Sequence, residues 1–116
     1  MNTETIALNE RLGKFAGVLV SIESWPDEEP TMCVYDTEQE NLIGECSPFT
    51  ESLDACFLWL VPKCGHVGMS TQGDNFDVSV WTKDADSEYD GIMVREATPA
   101  LALCKAIEKM IDTEAA

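Results

Sequence analysis

HVGMSTQGDNFDVSVWT, residues 66–82, reads as two strands with a turn between them, and the rest of the chain is best placed around that pair. Phe76, Val78 and Val80 alternate with Asp77, Ser79 and Trp81. Successive side chains of a strand leave on opposite faces, so one face is apolar and the other mixed. Gly73-Asp74-Asn75 interrupts the pattern with residues that tolerate a tight turn, which folds 66–72 back antiparallel on 76–82. A sheet with one apolar face needs a cover.

The cover follows in sequence. Residues 91–95 supply Ile92 and Val94 for a third strand, and Thr98-Pro99 then opens a helix. Threonine satisfies free N–H groups as an N-cap, and proline at the first helical position gives up no needed donor. Leu103, Cys104, Ile107, Met110 and Ile111 recur on one side, with Lys105, Glu108, Lys109 and Asp112 on the other. The helix is expected to fray from Thr113.

Upstream, residues 3–16 have the spacing of an amphipathic helix, with Thr3 as cap and Gly17 as its stop. Val18, Val20 and Ile22 alternate with their neighbours and predict extended chain. Residues 25–30 form a turn, and residues 31–36 and 42–46 a hairpin. In SPFTESLDACFLWLVP, residues 47–62, Thr50 is the expected N-cap. Leu53, Cys56, Phe57 and Leu60 are the expected buried stripe, and Pro62 the end. Leu58 and Trp59 broaden that stripe, so either this helix is covered on more than one side or Trp59 helps form an interface. These elements predict an α+β fold: a compact layered single domain, with an antiparallel sheet packed against about three helices.

Charge narrows the function. Twenty-two Asp and Glu face seven Lys and Arg in 116 residues, a formal charge of −15. No cation lies between Lys14 and Lys63, and Asp84, Asp86, Glu88 and Asp90 form a second acidic loop. Such a surface repels phosphate backbones and anionic membranes, so neither direct nucleic-acid nor membrane binding is expected. A basic protein is the expected partner.

Five cysteines without a CxxC pair argue for free thiols in a reducing compartment rather than a zinc site. Asp84 to Asp90 lacks the central glycine and the correctly placed glutamate of a calcium loop. His66 with Ser70 and Asp77, or with Cys64, offers triad-like residue types but no nucleophile elbow. No cofactor or metal is expected, nor an enzyme. The first ten residues lack the pattern of a secretory signal, so a cytoplasmic setting is expected.

SPFTESLDA (47–55) and ATPALALCKA (97–106), with a short strand at 75–81, resemble the small phage and prophage ABA-sandwich proteins. The resemblance covers residues 47–111, and the first helix loosely. It implies a layered α+β fold, a phage setting and a host-cell cytoplasm, and it carries no catalytic set. With the acid excess, it leads to the expectation of an interaction protein that binds and inhibits a basic host protein. The target would be a nucleic-acid-directed defence component, met in its basic groove by the acidic surface. The alternatives are a phage accessory or structural protein assembling with itself or another phage protein, and a small hydrolase or cation-binding protein. The expected binding residues are Trp25, Asp27, Glu28, Glu29, Tyr35, Glu38 and Glu40, together with Asp84, Asp86, Glu88, Tyr89 and Asp90.

Overall fold

Two antiparallel sheets form instead of one, because each hairpin finds its own third strand. The computed structural model describes residues 3–23, 26–36, 41–81 and 91–115. Helix α1 (Thr3–Ala16) leads into β1 (Leu19–Glu23), which pairs with β2 (Thr31–Tyr35), and β2 pairs with β3 (Leu42–Cys46). A middle helical segment starts as α2 (Leu53–Ala55). Strands β4 (His66–Gln72), β5 (Asn75–Trp81) and β6 (Ile92–Glu96) then make the second three-stranded sheet, and α3 (Pro99–Ala115) closes the fold. α1 packs on β1, α3 packs on β5 and β6, and the two helices pack on each other. The result is a compact single-domain α+β fold.

The pivotal hairpin forms in the expected register. Gln72 pairs with Asn75, leaving Gly73-Asp74 as a two-residue turn. Gly73 sits at φ +61, the first position of a type II′ turn, where a side chain would be strained. Val78 and Val80 are buried on the face toward α3. Trp81 lies on the other face against Gly91, where an added Cβ would come within 2.5 Å of the indole.

Both long helices are ended and begun by the expected residues. At the end of α1, the Gly17 N–H donates to the Lys14 carbonyl at 3.1 Å and the Val18 N–H to the Gly13 carbonyl at 2.9 Å. Gly17 holds φ +85, so this is a Schellman stop. Gly13 is helix-weakening for a reason: an added Cβ would lie 2.8 Å from Val20, so its absence lets α1 approach β1. At the start of α3, the Leu101 N–H donates to the Thr98 hydroxyl at 3.2 Å. The helix continues to Ala115, beyond the expected fraying point at Thr113.

The middle segment departs from expectation. Ser52, not Thr50, is the N-cap, its hydroxyl accepting from the Ala55 N–H at 3.1 Å. Thr50 is occupied elsewhere, because Asn9 of α1 donates to its hydroxyl at 3.1 Å. After Ala55 the backbone widens into a π-helical stretch, Cys56–Leu60, and then tightens into a 3₁₀ turn, Val61–Lys63. The Val61 N–H reaches the Cys56 carbonyl, the five-residue spacing of a π turn. Cys56 and Leu60 are both fully buried, and the wider turn carries Phe57 away from them to 48% exposure. Phe57 therefore leaves the expected stripe. Trp59 is half-buried beside Gly44 of β3, so Phe57 and Leu58 are the outward apolar residues of this segment.

Candidate protein-binding surface

The first sheet gathers much of the expected binding region onto one face. Register puts Leu19, Tyr35 and Leu42 in one row across the three strands, and Ser21, Cys33 and Glu45 in the next. Glu23 and Thr31 follow, at the end where the acidic turn begins. Val20, Ile22, Met32 and Val34 point the other way, into or against the core. The outward face thus grades from apolar to acidic. Leu19 is 40% exposed and Leu42 52%. Ile43 is the extra residue where the register shifts opposite Val34 and Tyr35.

Cys33 marks the centre of this face and is itself buried. Burial, and then the fields of Glu23 and Glu45, push its thiol upward, against a hydrogen bond with Tyr35. Burial likewise raises the Tyr35 phenol, with Cys33 and Glu23 adding to it. Cys33 therefore stays a neutral thiol near neutral pH, unsuited to nucleophilic attack. Register places both acids on the sheet's outer face, since Glu45 lies opposite Cys33 and Glu23 two residues along β1 from Ser21, the other neighbour of Cys33.

Of the expected binding residues, Tyr35 is half-buried, and Asp27, Glu28 and Glu29 are exposed in the turn between β1 and β2. Asp27 adopts φ +68, a left-handed conformation that aspartate tolerates better than most residues. Its placement thus has a turn-forming reason besides charge. Trp25, Glu38, Glu40, Asp84, Asp86, Glu88, Tyr89 and Asp90 lie outside the described residues. Sequence reasoning missed Leu19, Leu42, Ile43, Phe57 and Leu58. Phe57 is expected in the buried stripe and the others are not among the expected binding residues; register and the π turn set them outward.

Cations serve the scaffold elsewhere. Arg11 of α1 pairs with Asp112 and, at 3.5 Å, with Glu108 of α3. Lys105 meets Glu96 at 3.0 Å, and Arg95 grips Asp77 with bonds of 2.6 and 3.2 Å. A groove of about 670 Å³ between α1 and α3 is lined by Glu4, Leu8, Arg11, Leu101, Lys105 and Glu108, and within it Arg11 is paired with Glu108 while Lys105 reaches out to Glu96. These ion pairs draw on acids of α3, β5 and β6, not on those of the first sheet.

Asp77–Arg95 also disposes of the triad geometry. Ser70 faces Asp77 across the strands, but the carboxylate is held by Arg95. His66 lies four residues along β4 from Ser70, roughly 13 Å away at strand rise, and its ring sits 4.9 Å from that of Trp81. Cys64 is buried with its thiol toward the Leu60 carbonyl at 3.6 Å. Among the described residues no group of three His, Cys, Asp or Glu side chains is arranged to hold a metal. No helix among them is long and apolar enough to cross a membrane.

The same pair gives a pH test. Hydrogen bonds from Arg95 outweigh burial and hold the Asp77 carboxyl below its ordinary range. Its folded state therefore binds a proton less readily than its unfolded state. The resulting stability is present above the unfolded value of about 3.9 and is lost as pH falls through the lower folded value. Asp77→Asn is expected to lower the urea midpoint at neutral pH. The gap from wild type should shrink as pH is taken below about 4, and a constant gap would reject the assignment.

No protein-family model, curated protein or solved structure matches this chain.

Proposed function

We propose that this chain is a non-catalytic interaction protein that binds a basic protein and blocks it. The phage setting and a nucleic-acid-directed defence target belong to the same proposal, on the strength of the sequence resemblance. The observation that carries the binding role is the outer face of the first sheet. There an apolar row, Leu19–Tyr35–Leu42, runs into Glu23 and Glu45, in a segment without a single lysine or arginine. Apolar anchors supply desolvated contact, while surrounding acids speed encounter with a positive surface and disfavour negative ones. Block is steric, by occupation of the partner's basic surface, with no bond made or broken.

Capture from a bacterial lysate tests this. Glu23, Glu28, Glu29 and Glu45 are all exposed, so their combined replacement by lysine should leave the fold intact, as circular dichroism will check. Wild type is expected to retain a basic protein at low salt and release it at high salt, because exposed charges are screened within about 8–10 Å at moderate ionic strength. The fourfold variant should retain at least tenfold less. Capture of nothing by wild type, or equal capture by both, rejects the proposal.

A second reading, assembly with itself or another phage protein, is favoured by Phe57 and Leu58, which stand 48% and 67% exposed side by side. Mass in solution across a concentration series separates self-assembly from capture of a foreign partner.

A further inference from the structure

β3 is an edge strand. β2 is the element packed along it, and no strand pairs with its other side among the described residues. The free main-chain groups of such an edge are a template for another extended segment. Edges are commonly blunted by shortness, charged side chains, proline, a β-bulge or a covering element. Of these, β3 is short and carries one charge, Glu45, and a bulge at its Leu42 end. β3 reads LIGEC, with neither lysine nor proline. The register shift is confined to its hairpin end, and Gly44, Glu45 and Cys46 pair regularly with Val34, Cys33 and Met32. Leu42 and Ile43 at that end are 52% and 49% exposed.

Charge selects the occupant. Glu45 on β3 and Glu23 on β1 share the outer face, and the Asp27–Glu29 turn sits at the same end of the sheet. A second copy of this chain would bring a formal charge of −15 against the same charge. Like charges facing across strands are destabilising, and opposite charges stabilising. The two sides of the edge also differ in chemistry. Glu45 points outward, whereas Gly44 has the Trp59 ring 3.7 Å from its Cβ position on the inner side. An added strand would therefore meet a carboxylate on one face and an aromatic ring on the other, and the period of two separates those demands onto alternate residues.

We infer that β3 accepts, by strand addition, an extended segment of the basic partner in which lysine or arginine alternates with aliphatic residues. The inference rests on the reading that the partner is basic, and it specifies how that partner is held. Main-chain bonds to the edge supply affinity, and the alternation supplies selectivity.

The probe is a short alternating Lys-Val peptide titrated into isotope-labelled full-length protein, with amide shifts and hydrogen exchange as readouts. Alternating Lys-Gly and Glu-Val peptides of the same length are the controls. The Lys-Val peptide is expected to move the Leu42–Cys46 amides and slow their exchange at least tenfold. The Lys-Gly peptide, with equal charge and poor strand propensity, should bind at least tenfold more weakly, and Glu45→Lys should weaken Lys-Val binding at least fivefold. Equal binding of Lys-Val and Lys-Gly, or shifts confined to other elements, overturns strand addition while leaving capture of a basic protein standing. Equal binding of Glu-Val overturns the charge selection. Movement of the β3 amides with protein concentration alone, accompanied by a dimer mass, assigns the edge to a second copy and overturns the inference. If no cationic peptide binds, strand addition fails, and the lysate capture separately decides whether the basic-partner reading fails with it.

Discussion

Ile107→Asp is expected to leave the chain unfolded at neutral pH. Ile107 is fully buried in a cluster that includes Leu103, Met110, Val78 and Leu12. It belongs to the helix that packs against both the second sheet and α1, so its surroundings cannot easily open to water. Loss of the aliphatic side chain costs about 2–5 kcal/mol, as in other large-to-small core changes. An unpaired buried carboxylate adds several kcal/mol more. Domains of this size are stable by only about 5–15 kcal/mol, so the sum removes most or all of the margin. Ile107→Val, which trims one methylene, should cost about 0.5–1.5 kcal/mol and stay folded. The aspartate's carboxyl would be raised in that site, so any stability recovered should appear as pH falls and vanish as pH rises through the raised value. A cooperative melt for Ile107→Asp close to that of wild type, at about pH 7, would show that this core is not as closed as its burial indicates.

Local rules sufficed where one interaction decides an element. Thr98-Pro99 opens a helix whatever lies around it, and Gly17 and Gly73 supply conformations that few other residues adopt. Alternation through Phe76, Val78 and Val80 likewise sets a face without knowledge of the neighbour. The sheet count was not legible in that way, because antiparallel pairing depends on which hairpins meet in space. Thr50 shows the same limit. Its hydroxyl suits a cap, but a buried Asn9, 41 residues earlier in the chain, claims it, and Ser52 caps instead. Phe57 was misplaced because the helical stripe assumes a 3.6-residue period, and the π turn alters the period at that point. The binding face was half legible. Its acids and Tyr35 stand out in the sequence, whereas Leu19 and Leu42 are recognisable as surface only once register sets them beside Tyr35.

Asn9→Ala is expected to destabilise the fold by about 3 kcal/mol, through a cavity and the stranding of polar partners. Asn9 is fully buried although its neighbours on α1, Leu8 and Leu12, are apolar. Its amide donates to the Thr5 carbonyl at 2.8 Å and to the Thr50 hydroxyl at 3.1 Å, while its oxygen accepts from the Thr50 N–H at 3.4 Å. One side chain thus fastens α1 to the turn that holds Phe49 in the core, and the Phe49 carbonyl in turn accepts from the Cys56 thiol at 3.1 Å. Alanine leaves the Thr50 N–H and hydroxyl in a dry site without that partner, a cost that adds to the lost volume. Asn9→Leu separates the two contributions, since it restores volume but not hydrogen bonding. It should therefore remain destabilised by at least about 1 kcal/mol in urea unfolding. Asn9→Asp probes the site's polarity, because a carboxylate there has no positive partner within the described contacts. Its folded value should rise above the unfolded one, so this variant gains stability as pH is lowered and loses it as pH climbs through the raised value. Should Asn9→Leu match wild type within about 0.5 kcal/mol, the amide would be interchangeable with an aliphatic side chain. The link from α1 to the π-helical segment, and with it the outward setting of Phe57 and Leu58, would then rest on packing alone.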